Sequence, residues 1–168
     1  MIRTTVRALS ALAVGFALVM TSGAVAQAAP AKKFPTTVTI THAAVAPTLV
    51  QGEGLGAVRT FSFPITVNGK TNAGSKMVGT LRTVEVDAAD GSEIRTSDLV
   101  FMVRAERNQL VVGGASTYPA ASAVLAVDST TIRPVVGGSG IYAGARGYVE
   151  STNRGDAGWK HVFHITTK

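Results

Sequence analysis

TFSFPITVNG, residues 60–69, decides the fold class. Phe61, Phe63, Ile65 and Val67 alternate with Thr60, Ser62, Pro64 and Thr66, so an extended chain puts the large apolar side chains on one face. Asn68-Gly69 follows, a dipeptide that suits a two-residue hairpin because both positions tolerate positive φ. The stretch is a strand that faces a core and then reverses tightly. Pro64 has no N–H for a ladder, which predicts an edge, bulge or corner at this point.

The same grammar continues in both directions. TTVTIT, residues 36–41, is a β-branched alternating strand, and Gly52, Gly54 and Gly56 punctuate the loop after it. Residues 72–75 read as an extension of the hairpin loop, and residues 77–86 as the next strand. Asp90-Gly91 marks a second hairpin. The return strand, residues 93–105, carries Leu99, Phe101 and Val103 on one face and Val100, Met102 and Arg104 on the other. Leu110-Val111-Val112 and Pro134-Val135-Val136 each end in a Gly-Gly pair, with an Ala/Ser-rich stretch of undefined structure, residues 115–126, between them. Residues 145–153 and 159–167 form a last hairpin around Gly155-Asp156-Ala157-Gly158. From about Lys32 onward the reading gives about seven to nine strands and almost no stretch at helical spacing, so the domain is predicted to be all-β, a single closed antiparallel barrel of eight strands. The competing architecture is an immunoglobulin-like sandwich without its disulfide.

The N-terminus has the layout of an export signal. Arg3 and Arg7 precede an apolar stretch, residues 8–20, and small residues follow up to Ala26-Gln27-Ala28. That apolar stretch is shorter than the roughly 20 residues a membrane helix needs. The expected organisation is a general secretory signal peptide over residues 1–28 cleaved after Ala28, with Ala26 as the alternative site, a flexible segment over 29–35, and a β-barrel over 36–168. The mature domain is expected to be secreted, with no integral membrane span.

Composition narrows the chemistry. The chain of 168 residues has no cysteine, which excludes thiol catalysis, iron–sulfur clusters and cysteine-based zinc sites. Removing Arg3 and Arg7 from the 16 basic residues leaves 14 against 10 acidic ones, scattered rather than clustered, so no nucleic-acid partner is expected. His161 and His164 are an odd number of residues apart on a strand and fall on opposite faces, so no metal site is expected. A phosphate loop is excluded at Gly137-Gly138-Ser139-Gly140 because no helix or lysine follows, and the glycines there are read as a barrel corner. The G-x-S-x-G signature of a hydrolase is missing. Asp87, Asp90, Glu93 and Asp156 fall at predicted turns, where solvation accounts for them, whereas Glu85, Glu106, Asp128 and Glu150 lie on or near strands. An inward-facing member of the second group would be a candidate acid or base.

The segment RPVVGGSGIYAGARGYVESTNRGDAGWKHVFHITTK, residues 133–168, resembles the C-terminal half of the allene oxide cyclase and dirigent protein superfamily. Gly137, Gly138, Gly140, Tyr142, Ala145, Gly147, Trp159 and Phe163 carry the likeness, and residues 76–114 resemble that superfamily's middle strands. The resemblance implies an eight-stranded antiparallel barrel, commonly a homotrimer, with an apolar pocket at one mouth and no cofactor. It implies a small apolar or phenolic partner whose cyclisation or coupling is guided by being held in one conformation. Residues 41–50 contain no Asp, Glu or Asn, which departs from the cyclases, whose acidic and asparagine side chains lie near the start of the barrel. Arg146 sits at an Ala-Arg-Gly position that dirigent proteins share. The side chains assigned to the pocket are Arg146, Tyr142 and Glu85 as polar contacts and Phe101 as lining. The competing function is a structural or interaction protein whose barrel is filled by its own side chains.

Overall fold

The computed structural model describes residues 36–167, and the expected signal peptide and the segment over 29–35 lie outside them. The strands are β1 (Thr36–His42), β2 (Thr48–Gln51), β3 (Val58–Val67), β4 (Lys70–Val86), β5 (Glu93–Met102), β6 (Gln109–Val112), β7 (Ala115–Tyr118), β8 (Thr130–Gly138), β9 (Arg146–Asn153) and β10 (Trp159–Thr166). All the pairings are antiparallel, in the order β1-β10-β9-β8-β6-β5-β4-β3-β2 with β7 on β5, and β1 pairs with both β10 and β3, which closes the sheet on itself. Two of the staves are interrupted. β1 and β2 both lie along β3, and β6 and β7 both lie along β5, so ten strands make an eight-staved up-and-down barrel. One continuous closed sheet rules out the sandwich.

The deciding stretch behaves as its alternation predicts. Phe63, Ile65 and Val67 are buried, Phe61 is half-buried, and Ser62 and Pro64 are exposed. Asn68 and Gly69 turn with φ of 48° and 74°, and the Asn68 side-chain oxygen accepts a 2.8 Å bond from the Thr39 N–H, tying this hairpin to β1 across the seam. The register between β3 and β4 shifts between Pro64 and Thr66. Residues 72–75, expected to be loop, are instead a bulge within β4 opposite Ile65, where the ladder yields at the residue after the proline.

The glycine corner closes one end. A short 3-10 segment, Gly140–Tyr142, folds back under the barrel, and a Cβ on Gly138 would lie 2.5 Å from the Tyr142 carbonyl oxygen and 2.7 Å from that of Gln109. Only glycine permits that approach. Above it Val38, Leu110, Val112, Val149, Phe163 and Ile165 fill the interior. Phe101 packs edge-on to Phe163 with ring centroids 4.9 Å apart.

Candidate functional site

The other end of the barrel is built from the same strands with different side chains. On β5 the inward positions run Glu93, Arg95, Ser97 before they become Leu99 and Phe101. Glu93 was expected to be a solvated turn residue. It is buried instead, because the Asp90-Gly91 turn ends one residue earlier and the alternation of β5 carries Glu93 inward with Arg95.

An ion cluster holds these groups. The Glu93 Oε2 atom receives the Arg95 Nε–H at 2.9 Å and the Thr83 hydroxyl at 2.7 Å, and Arg59 Nη1 lies 3.6 Å away. Burial pushes the Glu93 carboxyl up, but the bonds from Arg95 and Thr83 and the two guanidinium charges outweigh it and hold Glu93 below the usual carboxylate range. Arg95 is completely buried, donates to the Ser122 and Ala123 carbonyls, and stacks 4.4 Å over the Tyr118 ring. Burial, then repulsion from Arg95, lowers Arg59, opposed by Glu93 and Tyr118.

Arg133 on β8 continues the chain of contacts. Its Nη2 donates to the Tyr118 hydroxyl at 3.0 Å and its Nη1 to the Thr131 hydroxyl at 2.6 Å. The Nε atom has no partner. Among the described residues no carboxylate lies within ion-pair distance of Arg133, although the side chain is only 3% exposed. A buried guanidinium without a counter-charge is costly, and proteins seldom keep one without a use.

Histidines and aromatics complete the wall. His161 Nδ1 is 2.8 Å from the Ser151 hydroxyl, while its Nε2 has no partner. Burial, reinforced by His42 and the Arg133 charge, holds His161 well below the ordinary histidine value, so it is neutral at neutral pH. Burial also lowers His42, against the raising effect of its bond to the Ala43 carbonyl. A carbonyl only accepts, so His42 Nδ1 is the protonated nitrogen and Nε2 keeps a lone pair. The His42 and Trp159 rings stack with the His161 ring at centroid distances of 5.2 and 6.1 Å, and Phe63 lies 5.0 Å from His42.

These side chains surround a hollow. Arg133, Tyr118, Ser151 and His161 line it together with Leu81 and Leu99; His42, Phe61, Phe63 and Trp159 add aromatic wall, and Val45, Pro47 and Val124 come from the loops at this end. Beside it, a Cβ on Gly79 would lie 2.5 Å from the Asp98 carbonyl oxygen and 3.1 Å from the Leu99 and Phe61 side chains, so only glycine fits there. The cavity volume is about 50 Å³. At roughly 10–15 Å³ per water on this measure, that space takes a few waters or a small head group.

The residues assigned from sequence lie elsewhere. Arg146 is exposed at the start of β9, at the far end of the barrel, and donates to its own neighbour's carbonyl at Ala145. Tyr142 is buried in the corner that closes that far end, and burial raises its hydroxyl against the opposing Arg104 charge. Glu85 is exposed on β4 just past a register shift between Thr83 and Glu85. Phe101 is interior but sits beneath His161, 5.1 Å from its ring, rather than on the wall. The structure does not bring these four together. It brings together Arg59, Arg95 and Arg133, to which the sequence reading assigns no role, with Glu93, read there as a solvated turn residue, and the histidines His42 and His161, read there as unable to form a metal site. Their signal was present: stepping back by twos from Leu99, Val135 and Phe163 reaches Arg95, Arg133 and His161.

These features define a class: a closed up-and-down barrel, packed solid at one end, with a largely apolar hollow that Arg133, His42 and His161 border at the other. No protein-family model matches the chain, and no curated protein does. A solved structure of pyocyanin demethylase is similar, with 16% sequence identity and a TM-score of 0.55 over 78% of this chain and 98% of that one. At that identity the likeness is one of fold.

Proposed function

We propose that this protein binds a small flat apolar or phenolic molecule at the polar end of its barrel and holds it in one reactive conformation. The observation that carries this is a hollow between aromatic rings whose lining residues Arg133 and His161 each keep a buried nitrogen, Nε and Nε2, without a partner. Buried polar atoms are nearly always satisfied, so such a pair on one wall calls for a guest. A cavity of about 50 Å³ takes the guest's polar end, and its ring extends towards Val45, Pro47 and Trp159. The similar barrel of pyocyanin demethylase acts, by its name, on pyocyanin, and the likeness of residues 133–168 to allene oxide cyclases and dirigent proteins supports guidance of a cyclisation or coupling. Neutral His42 supplies a lone pair that can take a proton during such a step. The same reading has the mature chain exported, with cleavage after Ala28 checked by N-terminal sequencing of the secreted product.

Trp159 is the only tryptophan in the chain, which makes the test direct. Titration with flat aromatic compounds is expected to quench or shift its fluorescence saturably. The competing reading, a barrel filled by its own side chains, draws on the small cavity and the solid packing of the far end. A flat response across phenolic, polycyclic and fatty-acid probes would favour that rival.

A further inference from the structure

The charges inside the barrel do not balance, and this bears on what the guest is. Among the described residues the buried charged side chains are Arg59, Arg95, Arg133 and Glu93. Glu93 is engaged by Arg95, Thr83 and Arg59, so the one buried carboxylate serves two of the three guanidinium groups. The group left over is Arg133, which lines the hollow, whereas Glu93 does not. Its two bonded partners, Thr131 and Tyr118, are neutral hydroxyls.

We infer that the guest is an oxyanion, a flat molecule whose carboxylate enters the hollow and neutralises Arg133. This rests on the ligand-binding reading above and names its ligand class. Three donors on one wall can meet a carboxylate. Arg133 has its unpaired Nε–H. Tyr118 accepts from Arg133 and so keeps its own hydroxyl proton to give. His161 offers Nε2–H when Ser151 donates to Nδ1, the tautomer that an anion selects. No acidic side chain lines the cavity to repel such a guest. Hydrogen bonds between charged partners are the stronger kind, and their strength grows where water is excluded. The size also agrees, since a carboxylate is comparable with the few waters that about 50 Å³ admits.

The test uses 2-naphthoate and 2-naphthamide, which share a ring and differ in charge, read by Trp159 fluorescence on the mature protein. Naphthoate is expected to bind at least about tenfold more tightly than naphthamide, the difference that one charge-assisted hydrogen bond supports. Arg133→Gln is expected to remove that preference, bringing the affinity for naphthoate down to within about twofold of that for naphthamide in the same variant. Equal affinities for the two probes, or a preference for the amide, would overturn the oxyanion inference and leave ligand binding standing. Absence of response to both would sink the two readings together. Should Arg133→Gln fail to fold, the ratio of affinities in the unmodified protein decides, together with the imidazole NMR signals of His161, which should shift with naphthoate and not with naphthamide.

Discussion

The two ends of the barrel are made by the same strands and differ in almost everything else. β10 runs from His161 to Phe163 and Ile165, β9 from Ser151 back to Val149, and β8 from Arg133 to Val135, each switching from polar to apolar halfway along its inward face. The apolar end contains Val38, Leu110, Val112, Val149 and Ile165 in mutual contact, with Tyr142 and Ala145 beneath. The polar end has three buried guanidinium groups, one carboxylate and two neutral histidines, of which Arg133, His42 and His161 border a hollow. Burial of aliphatic and aromatic surface stabilises the first end, whereas desolvation of charge works against the second. The closed ladder lets one end carry the stability that buried charge takes from the other.

Substitutions at the two ends should therefore separate cleanly. Phe163→Ala, at the apolar end, removes a fully buried ring packed on Phe101 and is expected to cost about 4 kcal/mol in urea unfolding. A cost near zero would mean that the apolar end is not the main support. Glu93→Gln leaves Arg95 and Arg59 without their counter-charge, and a loss of about 3 kcal/mol is expected.

Acid should act through the polar end alone. His42 and His161 have folded values below the ordinary 6.5, so the unfolded chain binds protons that the native barrel refuses. Stability is then complete above pH 6.5 and falls as the pH drops below it. Glu93, held below its ordinary 4.5, adds a second loss as the pH falls through that value. Urea midpoints at pH 8, 6 and 5 should decline in that order, and His161→Gln should flatten the upper part of the slope. A midpoint that does not change down to pH 5 would break the assignment.

Arg133→Met probes the comparison more finely. Replacing an unpaired buried charge with an apolar side chain is expected to raise the stability of the ligand-free protein by about 1 kcal/mol while removing naphthoate binding. A loss of stability instead would give Arg133 a structural role through Tyr118 and Thr131. The smallest effects belong to Arg146→Ala and Glu85→Gln. Both side chains are exposed and away from the cavity wall, so changes within about 0.5 kcal/mol and an unaltered Trp159 titration are expected.

Much of the fold was legible because strand alternation and turn chemistry are local. Residues 60–69 specified a strand, its buried face and its turn, and the Gly137–Gly147 corner closed one end as read, since a side chain on Gly138 would collide with backbone. The site was less legible. Glu93, Arg95, Arg133 and His161 lie on the inward period of strands whose apolar halves were recognised, yet charged and polar residues at such positions read locally as surface. Glu85 shows the opposite error: from Thr83 the alternation alone turns it inward, and a register shift between the two leaves it exposed.

By itself, then, the sequence determined the repeating unit: which stretches extend, where they reverse and which apolar side chains share a face, because those properties depend on neighbours a few residues away. The tertiary structure alone decided which inward side chains meet across the barrel. Arg133, Tyr118, His161 and His42 come from β8, β7, β10 and β1, and their convergence on one hollow is set by the registers and bulges of long-range pairing, a quantity that no local pattern contains.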